Sequence, residues 1–193
     1  MPNFRSVRRR LALLGAAHSG VAAIEFALVA MALLLIVAGT VDLGMQIYVQ
    51  EELGSALAAG AEYAAVNANS VDSTNGASLA TAIADVVANV NGTSWASSGV
   101  CVNDGPTATA NGGTAPSCSG TAANADDYYC PTGSSPSWSW GTGQSSGGGS
   151  CGSAGIYGKF VTISASRSIT PLFPSFGFAT SGPITRSVLV ETQ

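Results

Sequence analysis

Charge is scarce in this chain of 193 residues: Asp, Glu, Lys and Arg together make up 9% of it, with a formal net charge of −4. Recognition of nucleic acid needs a basic face, so no nucleic-acid partner is expected. Histidine is scarcer still. The single one, His18, precedes the main hydrophobic run, which leaves the long C-terminal part without the imidazole of a His-based triad or a His-ligated metal site. The single lysine, Lys159, sits in Gly158-Lys159-Phe160, not at the end of a glycine-rich phosphate loop. These shortages argue for a protein that is not an enzyme and has neither cofactor nor metal. Asp126 and Asp127 are adjacent acids before Tyr128-Tyr129 and read as a solvated loop rather than a calcium site.

Proline is missing between Asn3 and Gly105, and no charge falls between Glu25 and Asp42. The 16 uncharged residues 26–41, extended by apolar neighbours on both sides, supply roughly the 20 residues needed to cross ~30 Å of hydrocarbon. This predicts one membrane-spanning helix, with membrane lipid as its surroundings. The leader ahead of it, residues 1–20, carries Arg5, Arg8, Arg9 and Arg10, and basic residues beside a span are retained on the cytoplasmic side. The expected arrangement is a single pass in the bacterial inner membrane, N-terminus cytoplasmic and the long C-terminal part periplasmic. A secretory signal peptide has a similar basic start, but His18 and Ser19 interrupt the first apolar patch and the strongest run begins after Gly20.

The helical signal continues to residue 66, a stretch rich in Ala, Leu and Glu. A helix over 21–66 is ~69 Å long, more than twice the hydrocarbon thickness, so its second half leaves the membrane. There Met45, Val49, Leu53 and Leu57 form an apolar row, while Asp42, Gln46 and Gln50 recur on another face. Gly39, Gly44, Gly54 and Gly60 interrupt it, either for close packing or as local flexibility. Asp42 reads as the outer membrane-interface residue.

The outward part, 67–193, reads as α+β. A second helix is expected over about 78–90, from Leu79, Ile83, Val86, Val87 and Val90 at the spacing of one stripe. The middle, 93–155, reads as loop-rich; of the 25 residues 131–155, 16 are Gly or Ser, too little apolar area to offset ordering. From 156 onward, alternating patterns over 160–165 and 184–191 predict two strands, paired antiparallel across the loop containing Pro171 and Pro174. Cys101, Cys118, Cys130 and Cys151 all lie on the outward side. An even count in an oxidising compartment favours two disulfides, with three pairings open.

The segment Ser19-Gly20-Val21-Ala22-Ala23-Ile24-Glu25-Phe26 resembles the processing site of type IV prepilins. Its continuation through Asp42-Leu43-Gly44-Met45-Gln46 and Ala58-Ala59-Gly60-Ala61-Glu62-Tyr63-Ala64-Ala65 is similar to the TadE-like pseudopilins of the tight-adherence (Flp) type IV pilus system. The resemblance implies cleavage after Gly20 by a prepilin peptidase, Val21 as the new N-terminus, and assembly with other pilin or pseudopilin subunits and the assembly platform. It implies that Glu25, with Phe26 beside it, is an assembly determinant, pairing with a neighbour's N-terminal amine. An unpaired charge between packed helices is expensive, which supports that role. The related TadG-like adhesion domain is not expected, since Asp-x-Ser-x-Ser is absent. The expected function is a minor pilin or pseudopilin of an adhesive pilus, and after assembly the chain would stand in an extracellular filament. The alternative is a membrane-anchored outward-facing adhesion or envelope-binding protein that enters no filament.

Overall fold

This computed structural model describes residues 19–152 and 155–193; the basic leader, apart from Ser19 and Gly20, lies outside the described residues. Two compact units are present. The first joins the early part of a long helix to a short loop, and the second joins the rest of that helix to a sheet.

The long helix, α1, runs over Ser19–Val66, 48 residues without a break, hence ~72 Å at 1.5 Å per residue. In the first unit, Met1–Gly44 with Pro171–Thr180, nearly all of its described side chains are exposed and apolar; it is long and apolar enough to cross a membrane by length and composition. A helix that is hydrophobic all round and unburied requires an apolar environment.

In the second unit, Met45–Thr170 with Ser181–Gln193, α1 becomes one-sided. Val49, Leu53, Ala56, Leu57 and Ala64 are buried in the core, so the row expected over Val49, Leu53 and Leu57 is the packed face. After a short 3-10 turn at Ala68–Ser70, helix α2 spans Gly76–Asn89 and buries Leu79, Ala80, Ile83, Ala84, Val87 and Ala88. The expected stripe is correct for Leu79, Ile83 and Val87, but Val90 lies beyond the helix and is 42% exposed.

The sheet is four-stranded and antiparallel, in the order β2-β1-β5-β6. β1 is Ser97–Val102, β2 Thr107–Ala110, β5 Phe160–Ile169 and β6 Gly182–Glu191; β3 (Thr132–Ser134) and β4 (Ser137–Ser139) form a separate hairpin. The two strands expected near the C-terminus pair as anticipated, from Phe160↔Glu191 to Ile169↔Gly182. The loop-rich reading of 93–155 needs correction: β1 lies inside that region and is a central strand of the sheet. The α+β class stands.

The two sheet faces have different covers. Val100, Val102, Val161, Ile163 and Ala165 point into the core shared with the helices. Cys101 on the opposite face, paired in register with Thr162, joins Tyr129 and Trp140 in a second buried cluster under the loops. Alternation along a strand assigns neighbours to opposite faces, so the helices take one side and the disulfide-bearing loops the other.

Candidate functional site

The residues singled out in the sequence for processing and assembly occupy the first two turns of α1. Gly20 has nothing within 4 Å of the position a Cβ would take. Val21 is 57% exposed and Phe26 73% exposed. Glu25 is exposed as well, and the salt bridge found among the described residues, Arg167 to Glu52 at 3.5 Å, does not involve it. The chain therefore presents at one end of α1 an apolar surface and a carboxylate with no counter-ion among the described residues. Such a carboxylate near hydrocarbon is costly until a cation reaches it.

The second acidic residue of the helix is placed differently. Asp42 is 1% exposed, and its carboxylate accepts two backbone hydrogen bonds, from Leu172 N–H to Oδ1 at 2.9 Å and from Phe173 N–H to Oδ2 at 3.2 Å. Asp42 thus caps a loop from a buried position. The sequence held no local signal for this, because the partners lie 130 residues away.

Past the first unit, the four cysteines form two disulfides, Cys101–Cys118 and Cys130–Cys151, which selects one of the three pairings. Around the first, Tyr129 and Trp140 meet edge to face with ring centroids 5.7 Å apart, and Trp140 Nε1 donates to Ser117 O at 2.9 Å. Burial, then the nearby carboxylates of Asp104 and Asp127, push the Tyr129 phenol up to about 12. Asn103, fully buried, donates from Nδ2 to Ala125 O and Asp127 O and accepts at Oδ1 from Phe160 N–H. It ties the loop layer to β5. Its φ of 52° opens the Asn103-Asp104-Gly105 turn, a turn sequence by composition whose clamping role is tertiary.

Lys159 is buried to 7% exposure; its ammonium donates to Val71 O at 2.7 Å and stands 5.5 Å from the centre of the Tyr128 ring. Asp72, below the ordinary carboxylate range, is held there first by hydrogen bonds from Asn75 and Thr74 and then by the Lys159 charge. Asp126 is lowered in the same way by Ser73 and Lys159. These groups tie turns together, and no cluster of three or more metal-ligating side chains occurs among the described residues.

Residues 20–62 match the model of a family described as TadE-like protein. No curated protein and no solved structure matches the chain. The matched stretch starts at Gly20, includes Glu25 and Asp42, and ends at Glu62, near the end of α1.

Proposed function

We propose that the chain is a minor pilin or pseudopilin of the Tad/Flp pilus system, cleaved after Gly20 by a prepilin peptidase and assembled through the apolar part of α1. The observation that carries the reading is the coincidence, at one helix end, of the TadE-like match starting at Gly20 with an exposed Glu25 that has no counter-ion among the described residues. Hydrolysis of the Gly20–Val21 bond leaves a carboxylate on Gly20 and an ammonium on Val21. A helix start carries partial positive charge, and a Val21 ammonium adds a full one. Glu25, one turn on, is the right distance along α1 to meet the Val21 ammonium of a neighbouring subunit when two such helices pack side by side. Phe26 and its exposed apolar neighbours supply the contact area.

In this reading the Arg-rich leader holds the N-terminus in the cytoplasm, the second unit faces the periplasm, and the disulfides form there. Partners are the peptidase, other pilin or pseudopilin subunits and the assembly platform; the chain works by assembly, not by catalysis. A second unit with its own core and two disulfides fits a minor component better than the bulk subunit of a filament.

Intact mass and N-terminal sequencing of the membrane-extracted protein test the first step: a chain starting at Val21 is expected, and one retaining the leader in cells that make the pilus overturns it. For the second step, Glu25→Ala is expected to leave membrane insertion intact while recovery in sheared filaments falls about tenfold or more, the effect of losing a pair worth ~2 kcal/mol. Normal piliation and normal incorporation of the Glu25→Ala protein would remove Glu25 from assembly.

A further inference from the structure

The loop Pro171–Thr180 joins the early part of α1 in one compact unit, although its sequence neighbours are strands of the sheet. Two contacts fix it there. Asp42 receives the N–H groups of Leu172 and Phe173, and the Phe178 ring lies over Gly39, at 3.4 Å from the position of a Cβ on that residue. Phe173, Phe176 and Phe178 form a chain of rings with centroids 6.2 and 6.1 Å apart.

Despite this seat, the loop keeps its apolar side chains outward: Leu172 is 61% exposed, Phe176 51%, Phe178 40% and Phe173 39%. Phe173 and Phe176 also line an apolar groove of about 640 Å³ with Ala27, Met31, Leu34 and Ala38 of α1. Ala38 is ~6 Å and Ala27 ~22 Å along the helix axis from Asp42. If Asp42 marks the outer edge of the span, both levels fall inside ~30 Å of hydrocarbon. The aromatic loop therefore shares its depth with the membrane-spanning part of α1.

We propose that Pro171–Thr180 is a membrane-inserted loop whose Leu172, Phe176 and Phe178 side chains lie among the acyl chains of the outer leaflet, with Asp42 as its polar anchor. The occupant of the groove is a lipid chain. Irregular backbone enters an apolar phase only when its polar groups are satisfied, and three of the loop's N–H groups are paired. Pro171 and Pro174 have no N–H. Those of Leu172 and Phe173 are taken by Asp42, and that of Phe176 by Phe173 O at 3.2 Å. Gly177, at φ 70°, then turns the chain back. Asp42 is buried in the seat because its charge is spent on the two N–H groups, which is how a carboxylate is tolerated beside a span.

The proposal rests on α1 crossing the membrane but not on pilus assembly, and the test separates these. The full-length protein is reconstituted into phosphatidylethanolamine/phosphatidylglycerol vesicles whose acyl chains are brominated. Phe176→Trp is compared with the parent, whose own tryptophans give the background, and with Leu28→Trp, which reports the helix. The indole at position 176 is expected to be quenched by brominated lipid at least half as strongly as the one at position 28, and severalfold less by aqueous iodide than free tryptophan. Quenching by iodide without quenching by bromine places the loop in water and overturns the proposal. Shielding from both quenchers puts protein over the loop and overturns it equally. No bromine quenching at position 28 refutes the membrane span, and the loop with it. Phe178→Trp, read in the same way, must agree if the loop is inserted.

Discussion

Beyond Gly20, four glycines interrupt α1, and at the scale of single residues their surroundings differ. Gly44 and Gly54 have nothing within 4 Å of a Cβ position, Gly39 has the Phe178 ring, and Gly60 has Val87 Cγ2 at 2.5 Å with Ile163 and Ile83 behind it. Val87 and Ile163 are fully buried, so they have no room to withdraw. At Gly60, α1 packs directly against Val87 of α2, and only a hydrogen fits. The packing reading thus holds at Gly60 and Gly39, which have side chains against them, and not at Gly44 and Gly54, which face open space. Gly54→Ala is expected to stabilise the second unit by up to about 1 kcal/mol, because it adds helix propensity at an open site. Gly60→Ala gains the same propensity but overpacks the core by ~1–3 kcal/mol, so it is expected to destabilise. Urea unfolding of the full chain in detergent, followed by tryptophan fluorescence, reads both: the midpoint rises for Gly54→Ala and falls for Gly60→Ala.

At the scale of elements, the entry into α2 depends on carboxylates that must stay charged. Asp72 Oδ1 accepts from Thr74 N–H and Asn75 N–H at 2.8 and 2.6 Å, and Asp126 Oδ1 accepts from Ser73 N–H at 2.9 Å. Both are lowered from the ordinary 3.8, so the unfolded chain takes up protons before the folded one does. Their contribution is present in full above the ordinary carboxylate value and is lost as pH falls through their folded values. Unfolding midpoints are expected to drop below about pH 4, less steeply in Asp72→Asn, which keeps an acceptor oxygen without the charge; equal slopes in variant and parent contradict this. The helices and the β5–β6 pair were legible in the sequence because each carries its own period, 3.6 or 2, over enough residues. β1 was not. Its Ser-Ser-Gly-Val-Cys-Val sequence is short, and Gly99 is required by the Thr114 carbonyl, which an added Cβ would overlap. Gly99 and Gly113 permit close approach of a loop to the sheet, at a distance no Cβ tolerates. The Gly20-to-Glu25 spacing behind the proposed processing and assembly is local, whereas the contacts of Asp42 depend on a loop 130 residues away and left no local trace.

For the molecule as a whole, the scarcity of charge makes a few arginines decisive. Among the cations ahead of α1 are Arg5, Arg8, Arg9 and Arg10, while the second unit contributes Lys159, Arg167 and Arg186. Lys159 is held by Val71 O, Arg167 stacks 4.6 Å above the centre of the Trp95 ring and pairs with Glu52, and Arg186 donates to Gln50. The charge difference across the span thus rests on the leader. The cysteines offer a readout of which way it acts: Cys101–Cys118 and Cys130–Cys151 oxidise only if the second unit reaches an oxidising compartment. Substituting Gln for all four leader arginines is expected to lower the fraction of chains with the second unit outside, since positive charge beside the span sets orientation. Each misoriented chain then keeps four free thiols. Alkylation with a bulky maleimide before reduction, read by gel shift, counts them directly. The parent is expected to be unmodified, and the arginine-free leader to give a four-label species. A wholly unmodified arginine-free variant, with the same amount in the membrane as the parent, would show that orientation is set by something other than the leader charge.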